Sequence, residues 1–463
     1  MHEKLSFKEK VGYGFGDFAS SMFWKIFGMY LLIFYTDVFG LAPTVVGTMF
    51  LVTRIWDSFF DPIIGIIADR TKTRWGKFRP FLLWTAFPFA VIGVLTFYVP
   101  DFDMKGKIIY AYVTYSLMMM VYSAINVPYA SLLGVISPDS KERTTLSSYR
   151  MVFAFAGSVF ALWLVEPLVM HFGGSMNAKD GWLYTIIVFG AITTALFLGC
   201  FFLTKERVQP INEEKPVLKN DLNDLWKNRP WWILLGAGVF ALIFSSIRDG
   251  AAVYYFKYCI TNAQDFTINM FGQSFKMTPT SFYLVLGQAA AIIGVVIATP
   301  ISKRIGKKLT FMGAMALAAI FSVGFHFVGN DNLFAIYALQ VVISITLNSI
   351  FPLIWAMYAD TADYSEWKQG RRATGLIFSA SSMSQKFGWT IGGSATGWLL
   401  GYFGFQANVL QSVYTQNGIQ LMLSFLPAIA GALSVVFIIF YPLSENKLQA
   451  IEAELAQKRK NEI

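Results

Sequence analysis

Residues 44–68 read TVVGTMFLVTRIWDSFFDPIIGIIA, and this stretch decides the fold. It is long and apolar enough to cross a bilayer, yet it carries Arg54, Asp57 and Asp61. Asp57 and Asp61 stand four positions apart, so a helix puts both carboxylates on one face, with Arg54 one turn before Asp57. Each charge near the bilayer centre costs about 2.5–3.5 kcal/mol even on lenient insertion scales. Such residues must face a bundle interior or a wet cavity, where they pair or carry a cation.

The rest of the chain supports a membrane setting. Of 463 residues, 55% are hydrophobic and 14% charged, whereas a soluble domain has about a quarter charged. A helical span needs about 20 apolar residues. Twelve stretches qualify, at 11–36, 43–67, 80–99, 107–134, 146–170, 181–203, 231–259, 280–300, 308–328, 332–358, 374–402 and 417–441. The first is read as a span and not a signal peptide, because it is too long and has no small-residue cleavage site. Cys200 and Cys259 fall in apolar spans, which does not indicate a disulfide framework. The histidines His2, His171 and His326 are scattered, with no metal-ligand spacing. No glycine-rich phosphate loop is present, so ATP-driven chemistry lacks support. No cofactor is expected beyond a coupling ion.

Lysine and arginine concentrate in alternate loops. One side carries Arg70, Lys72, Arg74, Lys77 and Arg79, then Lys141 and Arg143, then the basic residues of 205–229. Lys303, Arg304, Lys307, Lys308, Lys368, Arg371 and Arg372 follow on the same side. Positive-inside bias then places both termini in the cytoplasm of a multi-pass inner (plasma) membrane protein. The net charge of +9 follows from this asymmetry, so no nucleic-acid surface is implied.

The chain repeats itself. Arg74-Trp75-Gly76-Lys77 follows the second span, and Arg304-Ile305-Gly306-Lys307 follows the eighth, 230 positions later. Arg143-Thr144-Thr145 and Arg372-Ala373-Thr374 lie at nearly the same offset. The expectation is an all-α membrane protein of twelve transmembrane helices in two six-helix bundles, the major facilitator fold. It divides into bundles at 1–203 and 231–443, a cytoplasmic linker at 204–230 and a tail at 444–463. Such proteins rock one half against the other around a central site. Leu218, Leu222, Leu225 and Trp226 have helical spacing, which predicts a short amphipathic helix on the membrane face. Leu448, Ile451 and Leu455 repeat the pattern in the tail.

Further motifs carry a family resemblance. They are Tyr13-Gly14-Phe15-Gly16, Tyr35-Thr36-Asp37-Val38, Arg54-Ile55-Trp56-Asp57 with Asp61-Pro62, and Arg74-Trp75-Gly76-Lys77-Phe78-Arg79-Pro80. Asn126-Val127-Pro128-Tyr129 and the run from Asp360 to Lys368 complete the set, in order and over the full length. The chain resembles the glycoside-pentoside-hexuronide:cation symporters. The resemblance implies import of a sugar with a proton or sodium ion, and it marks Asp57 and Asp61 as the cation pair.

Paired carboxylates in a low-dielectric cleft suit that role, since a proton or a hard, oxygen-seeking cation neutralises them. Where the family's melibiose carriers have an Asn before the second Asp, this chain has Phe60, which removes an oxygen ligand that sodium would use. Ser123 keeps a hydroxyl in the fourth span. The balance favours a proton. The family's sugar-binding acids on the first and fourth helices align with Ser21 and Asn126, so both carboxylates are replaced here. Asp17, Ser21 and Lys25 form a polar stripe on the first helix, with Ser20 and Trp24 beside them. Lys25, mid-span, is expected to face the cavity. Tyr122 and Arg150 join this substrate group, as do Phe351, Ser382 and Lys386 from the second half. Arg248 and Asp249 also sit mid-span, and one of them is expected to reach across the cavity. Arg143, Asp360, Asp363 and Arg372 are expected to form a cytoplasmic gate.

The leading reading is a glycoside symporter with a small sugar, a coupling cation and membrane lipid as its partners. The alternatives are a lysolipid-type carrier of the same fold and a membrane sugar sensor that moves nothing. The polar mid-span stripe favours a hydrophilic solute, and no soluble signalling domain is visible. No nucleophile–base pair or metal site suggests an enzyme.

Overall fold

The computed structural model describes residues 5–137, 140–207, 225–260, 265–270, 273–369 and 374–461. Helix α1 spans Phe7–Ile33, followed by a π-helical turn at Phe34–Val38. Then come α2 (Pro43–Arg70), α3 (Arg79–Thr96), α4 (Met104–Ile136), α5 (Ser140–Gly173) and α6 (Lys179–Leu203). The second half has α7 (Arg229–Tyr258), a hairpin of β1 (Phe266–Met270) and β2 (Gln273–Met277), α8 (Pro279–Ile305) and α9 (Lys307–Phe325). It ends with α10 (Leu333–Gln369), α11 (Thr374–Tyr402), α12 (Val413–Leu423), α13 (Phe425–Ile439) and α14 (Glu445–Asn461).

Local chemistry sets the ends of these helices. Ser6 accepts from the Glu9 amide at 3.3 Å while the Glu9 carboxylate accepts from the Ser6 amide at 3.1 Å, a capping box that starts α1. Pro43 opens α2 and Asp103 caps α4. Among the described residues, ten spans are long and apolar enough to cross a membrane, α12 and α13 counting together as one. Helices α2 and α11, of 28 and 29 residues, have the length but are more polar. They carry Arg54, Asp57 and Asp61, and Gln385 and Lys386.

By internal packing the chain forms two units. One falls within Met1–Glu213, Ala263–Val285 and Leu400–Gln411, the other within Glu214–Asn262, Leu286–Leu399 and Ser412–Ile463. In the first, α1 packs along α5, α3 on α4 and α6, and α2 on α4. Its aromatic core explains part of the Phe content. Phe97 stacks on Trp182 with ring centroids 5.8 Å apart, and Phe34 lies 4.7 Å from Phe97. The β-hairpin, which the apolar-span reading did not anticipate, packs on α5.

In the second unit α7 packs on α13, and α9 on α10 and α13. Phe244, Met315, Leu347 and Tyr358 belong to its core. The tail helix α14 forms, but Leu448, Ile451 and Leu455 are buried in that same core beside α10. Its apolar stripe is therefore satisfied by protein and not by the membrane face. Leu218 and Leu222 lie outside the described residues. Ser424 interrupts the last span, with φ −121° and ψ −94°. The Leu423 carbonyl left by the break accepts from Ser322 at 3.0 Å and from Arg248. Arg248 also donates to Ser322 at 3.0 Å and to Gln340 at 3.1 Å. This buried arginine thus turns into its own unit and serves the broken helix.

The repeated loops have matching geometry. Gly76 and Gly306 have φ of +112° and +86°, a region that favours glycine. After Gly76, the amides of Lys77, Phe78 and Arg79 each donate at 2.8 Å to the carboxylate of Glu206, which follows α6. After Gly306, the amide of Lys307 donates at 2.9 Å to Glu445, which follows the last span. Each unit thus anchors a helix N-terminus with an acid that follows its own final span, and there the helix dipole favours negative charge.

Candidate functional site

Helices α1, α2 and α4 of the first unit assemble the polar residues picked out by their mid-span position. Asp57 is 3% exposed. Its Oδ1 accepts from the Ser123 hydroxyl of α4 at 2.8 Å, and the Arg54 guanidinium stands 3.8 Å from Oδ2. Asp61 follows one turn later, with its Oδ1 buried. Arg54 also lies over the Trp24 ring of α1, 4.4 Å from the centroid, an attraction that strengthens when desolvated. The Trp24 and Tyr122 rings are 5.3 Å apart. Asn126 accepts from Ser20 at 2.7 Å and donates to the Tyr122 carbonyl at 3.0 Å.

This arrangement offers two chemistries side by side. The buried carboxylate with its hydroxyl partner suits a proton or a small hard cation. The faces of Trp24 and Tyr122 and the amide of Asn126 suit a molecule with CH faces and hydroxyls. Ser21 and Lys25 are half-buried on α1, and Lys25 has no partner among the described residues.

A second polar cluster lies nearer the basic loops. Arg150 of α5 binds Asp17 through Nε at 2.5 Å and Nη2 at 3.2 Å. Tyr129 donates to the same carboxylate at 2.9 Å, and the Tyr129 ring lies 5.1 Å below the guanidinium. Asp17 therefore neutralises Arg150 and not Lys25. The bidentate geometry fixes the two side chains against each other.

The remaining expected residues are distributed as follows. Arg143 is half-buried in the first turn of α5. Asp360 and Asp363 lie near the end of α10 in the other unit, where Asp360 pairs with Lys307 at 2.6 Å. Phe351 and Lys386 are half-buried on α10 and α11. Arg372 and the side chain of Ser382 lie outside the described residues. One acid escaped the sequence reading: Glu166, buried near the end of α5. The signal was present, since a carboxylate in the apolar run ALWLVEPLVM is as anomalous as Asp57.

A family model described as MFS/sugar transport protein matches residues 12–445. The chain belongs to this family. The inner membrane symporter YicJ of Escherichia coli K12 is 35% identical, over 99% of this chain and 96% of its own length. The isoprimeverose transporter of Lactiplantibacillus pentosus is 37% identical, over 100% of this chain and 94% of its own. Among solved structures, a bacterial homologue of the human lysosomal transporter Spinster, inward-facing and unoccupied, superposes with a TM-score of 0.68 at 11% identity. That match covers 94% of this chain and 95% of the other, and it speaks for the fold alone. The resemblance to the glycoside:cation symporters and the major facilitator fold are borne out. The chain is a multi-pass membrane protein of sugar transport.

Proposed function

We propose that this protein is a secondary active symporter. It imports a glycoside or other small sugar with a cation, a proton in preference to sodium, by alternating access. It resides in the inner membrane with both termini in the cytoplasm, as the basic loops suggest, and performs no covalent chemistry. The observation that carries this reading is the burial of Asp57 within hydrogen-bond reach of Ser123, one helical turn from Asp61. A carboxylate held there is a poor choice for packing and a good one for a mobile cation. Phe60 beside Asp61 offers no oxygen, which favours a proton. Glycosides are favoured because relatives at this similarity are called a putative glycoside/cation symporter and an isoprimeverose transporter.

Lys25, Trp24, Tyr122 and Asn126 are the proposed sugar contacts of the first unit. The acids of the melibiose-type site are replaced by Ser21 and Asn126, so the site suits neutral or acidic glycosides and disfavours cationic solutes. The test is ion movement. Sugar added to de-energised cells should make a lightly buffered medium transiently alkaline. A sodium-dependent rise in affinity at constant pH, without alkalinisation, would reverse the choice of ion.

A further inference from the structure

Glu166 has no part in the site described above. It is 2% exposed. Tyr30 of α1 donates to Oε1 at 3.1 Å, and Thr278, just ahead of α8, donates to Oε2. The Ser281 hydroxyl is buried beside them. No cation pairs with Glu166 among the described residues. The titratable groups around it are few. Tyr30 lies on α1, Tyr283 is buried on α8, and Asp265 is exposed ahead of β1. On α6, Lys179 and Asp180 are exposed at the first turn and Tyr184 is exposed beyond them; His171 of α5 itself is exposed. The side chain of Lys276 in β2 lies outside the described residues.

The segment that Glu166 holds comes from the second half of the sequence. The described residues among 263–285 fall in the first unit, and α8 continues into the other from Leu286. Thr278 and the end of α5 lie opposite the basic loops, because α5 begins at Lys141 and Arg143. A bond from α5 to the start of α8 must part if this side opens around α8.

We propose that Glu166 is a titratable latch, closed when its carboxyl carries a proton and weakened when it ionises. The physical reason is solvation. A buried carboxylate with hydroxyl partners and no counter-ion among the described residues bears a desolvation cost that opening to water removes. A neutral carboxyl bears no such cost, and it keeps both contacts by donating one hydrogen bond and accepting another. Acid outside therefore holds this side shut, and alkali favours its opening. The proton exchanges with water on that side. The inference rests on the transporter reading in that the cycle opens this face and the proposed orientation turns it outward; it does not require coupling at Asp57.

The test reads opening directly, without substrate. Ser281→Cys places a thiol at the latch, and a membrane-impermeant maleimide labels it in intact cells when the face opens. Background is low because Cys200 and Cys259 are buried. Labelling is compared with and without Glu166→Gln between pH 5.5 and 8.5, the ratio removing the thiol's own pH dependence. The ratio should grow with pH by about 5–150-fold, the usual size of a coupling between sites. A ratio independent of pH overturns the proposal. Tyr30→Phe provides an independent arm, since it removes a donor that the ionised form needs more. It should raise labelling at pH 8.5 and leave pH 5.5 near the parent value. Equal labelling at both pH values in Tyr30→Phe and its parent also overturns the latch.

Discussion

The Ser123 hydroxyl of α4 donates to Asp57 of α2 at 2.8 Å, while Arg54 stands 3.8 Å from the other carboxylate oxygen. The hydroxyl thus makes the short contact and the arginine the longer one. Hydrogen bonds to charged groups are worth about 1.5–3 kcal/mol. Ser123→Ala should therefore weaken the coupling ion by about tenfold or more. The pH or sodium dependence of initial uptake measures this. An unshifted ion dependence in a well-expressed variant would remove Ser123 from the ion site.

Lys25 is half-buried on α1 and has no partner among the described residues. In the proposed function a sugar hydroxyl or carboxylate supplies one. Losing such a buried, hydrogen-bonded charge costs about 2–5 kcal/mol, on the order of thirtyfold in affinity or more. Lys25→Met should weaken substrate binding by that factor with near-normal expression, read by substrate protection or counterflow. Unchanged affinity would return Lys25 to a structural role.

The Asp17–Arg150 pair should behave as scaffold. Asp17→Asn and Arg150→Met should each lower thermal stability in detergent, because each leaves a partner stranded. The double variant should recover part of the loss, with a coupling of about 0.5–3 kcal/mol. Strictly additive losses would show that the two side chains act separately.

Gly76→Ala adds a methyl that would lie 2.3 Å from Cδ of Glu206, at a φ of +112°. Strain of this kind costs about 1–3 kcal/mol. The matching Gly306→Ala brings its methyl 2.9 Å from Cγ of Glu445, so it should have the same sign and a smaller size. Melting temperatures of the purified variants decide this, and a neutral Gly76→Ala would contradict the account of the loop.

Much of the site was legible because lipid is an intolerant solvent. Asp57 and Asp61 announced themselves as charges inside an apolar span, Ser123 came from the family resemblance, and the structure places Asp57 against Ser123. The repeat was legible in two short motifs, since both loops need a glycine with positive φ followed by a capped helix. Partners on other helices were not legible. Spacing puts Asp17 in one stripe with Ser21 and Lys25, but its partner, Arg150, lies 133 residues away and is brought there by the packing of α1 along α5. The break at Ser424 was hidden for the same reason, because Arg248 and Ser322 satisfy the opened carbonyl from other helices. Glu166 was missed because the nearest polar residue before it on its own helix is the distant Ser158, more than two turns back, and a helical stripe is visible only when polar residues recur.

The most direct test of the central claim is sugar movement by Asp57→Asn in energised and de-energised membrane vesicles. Neutralising Asp57 should abolish accumulation against a gradient and leave equilibrium exchange of the sugar measurable, because coupling fails while the sugar contacts on α1 and α4 remain. Concentrative uptake at the wild-type level in Asp57→Asn would contradict the assignment of Asp57 as the coupling carboxylate.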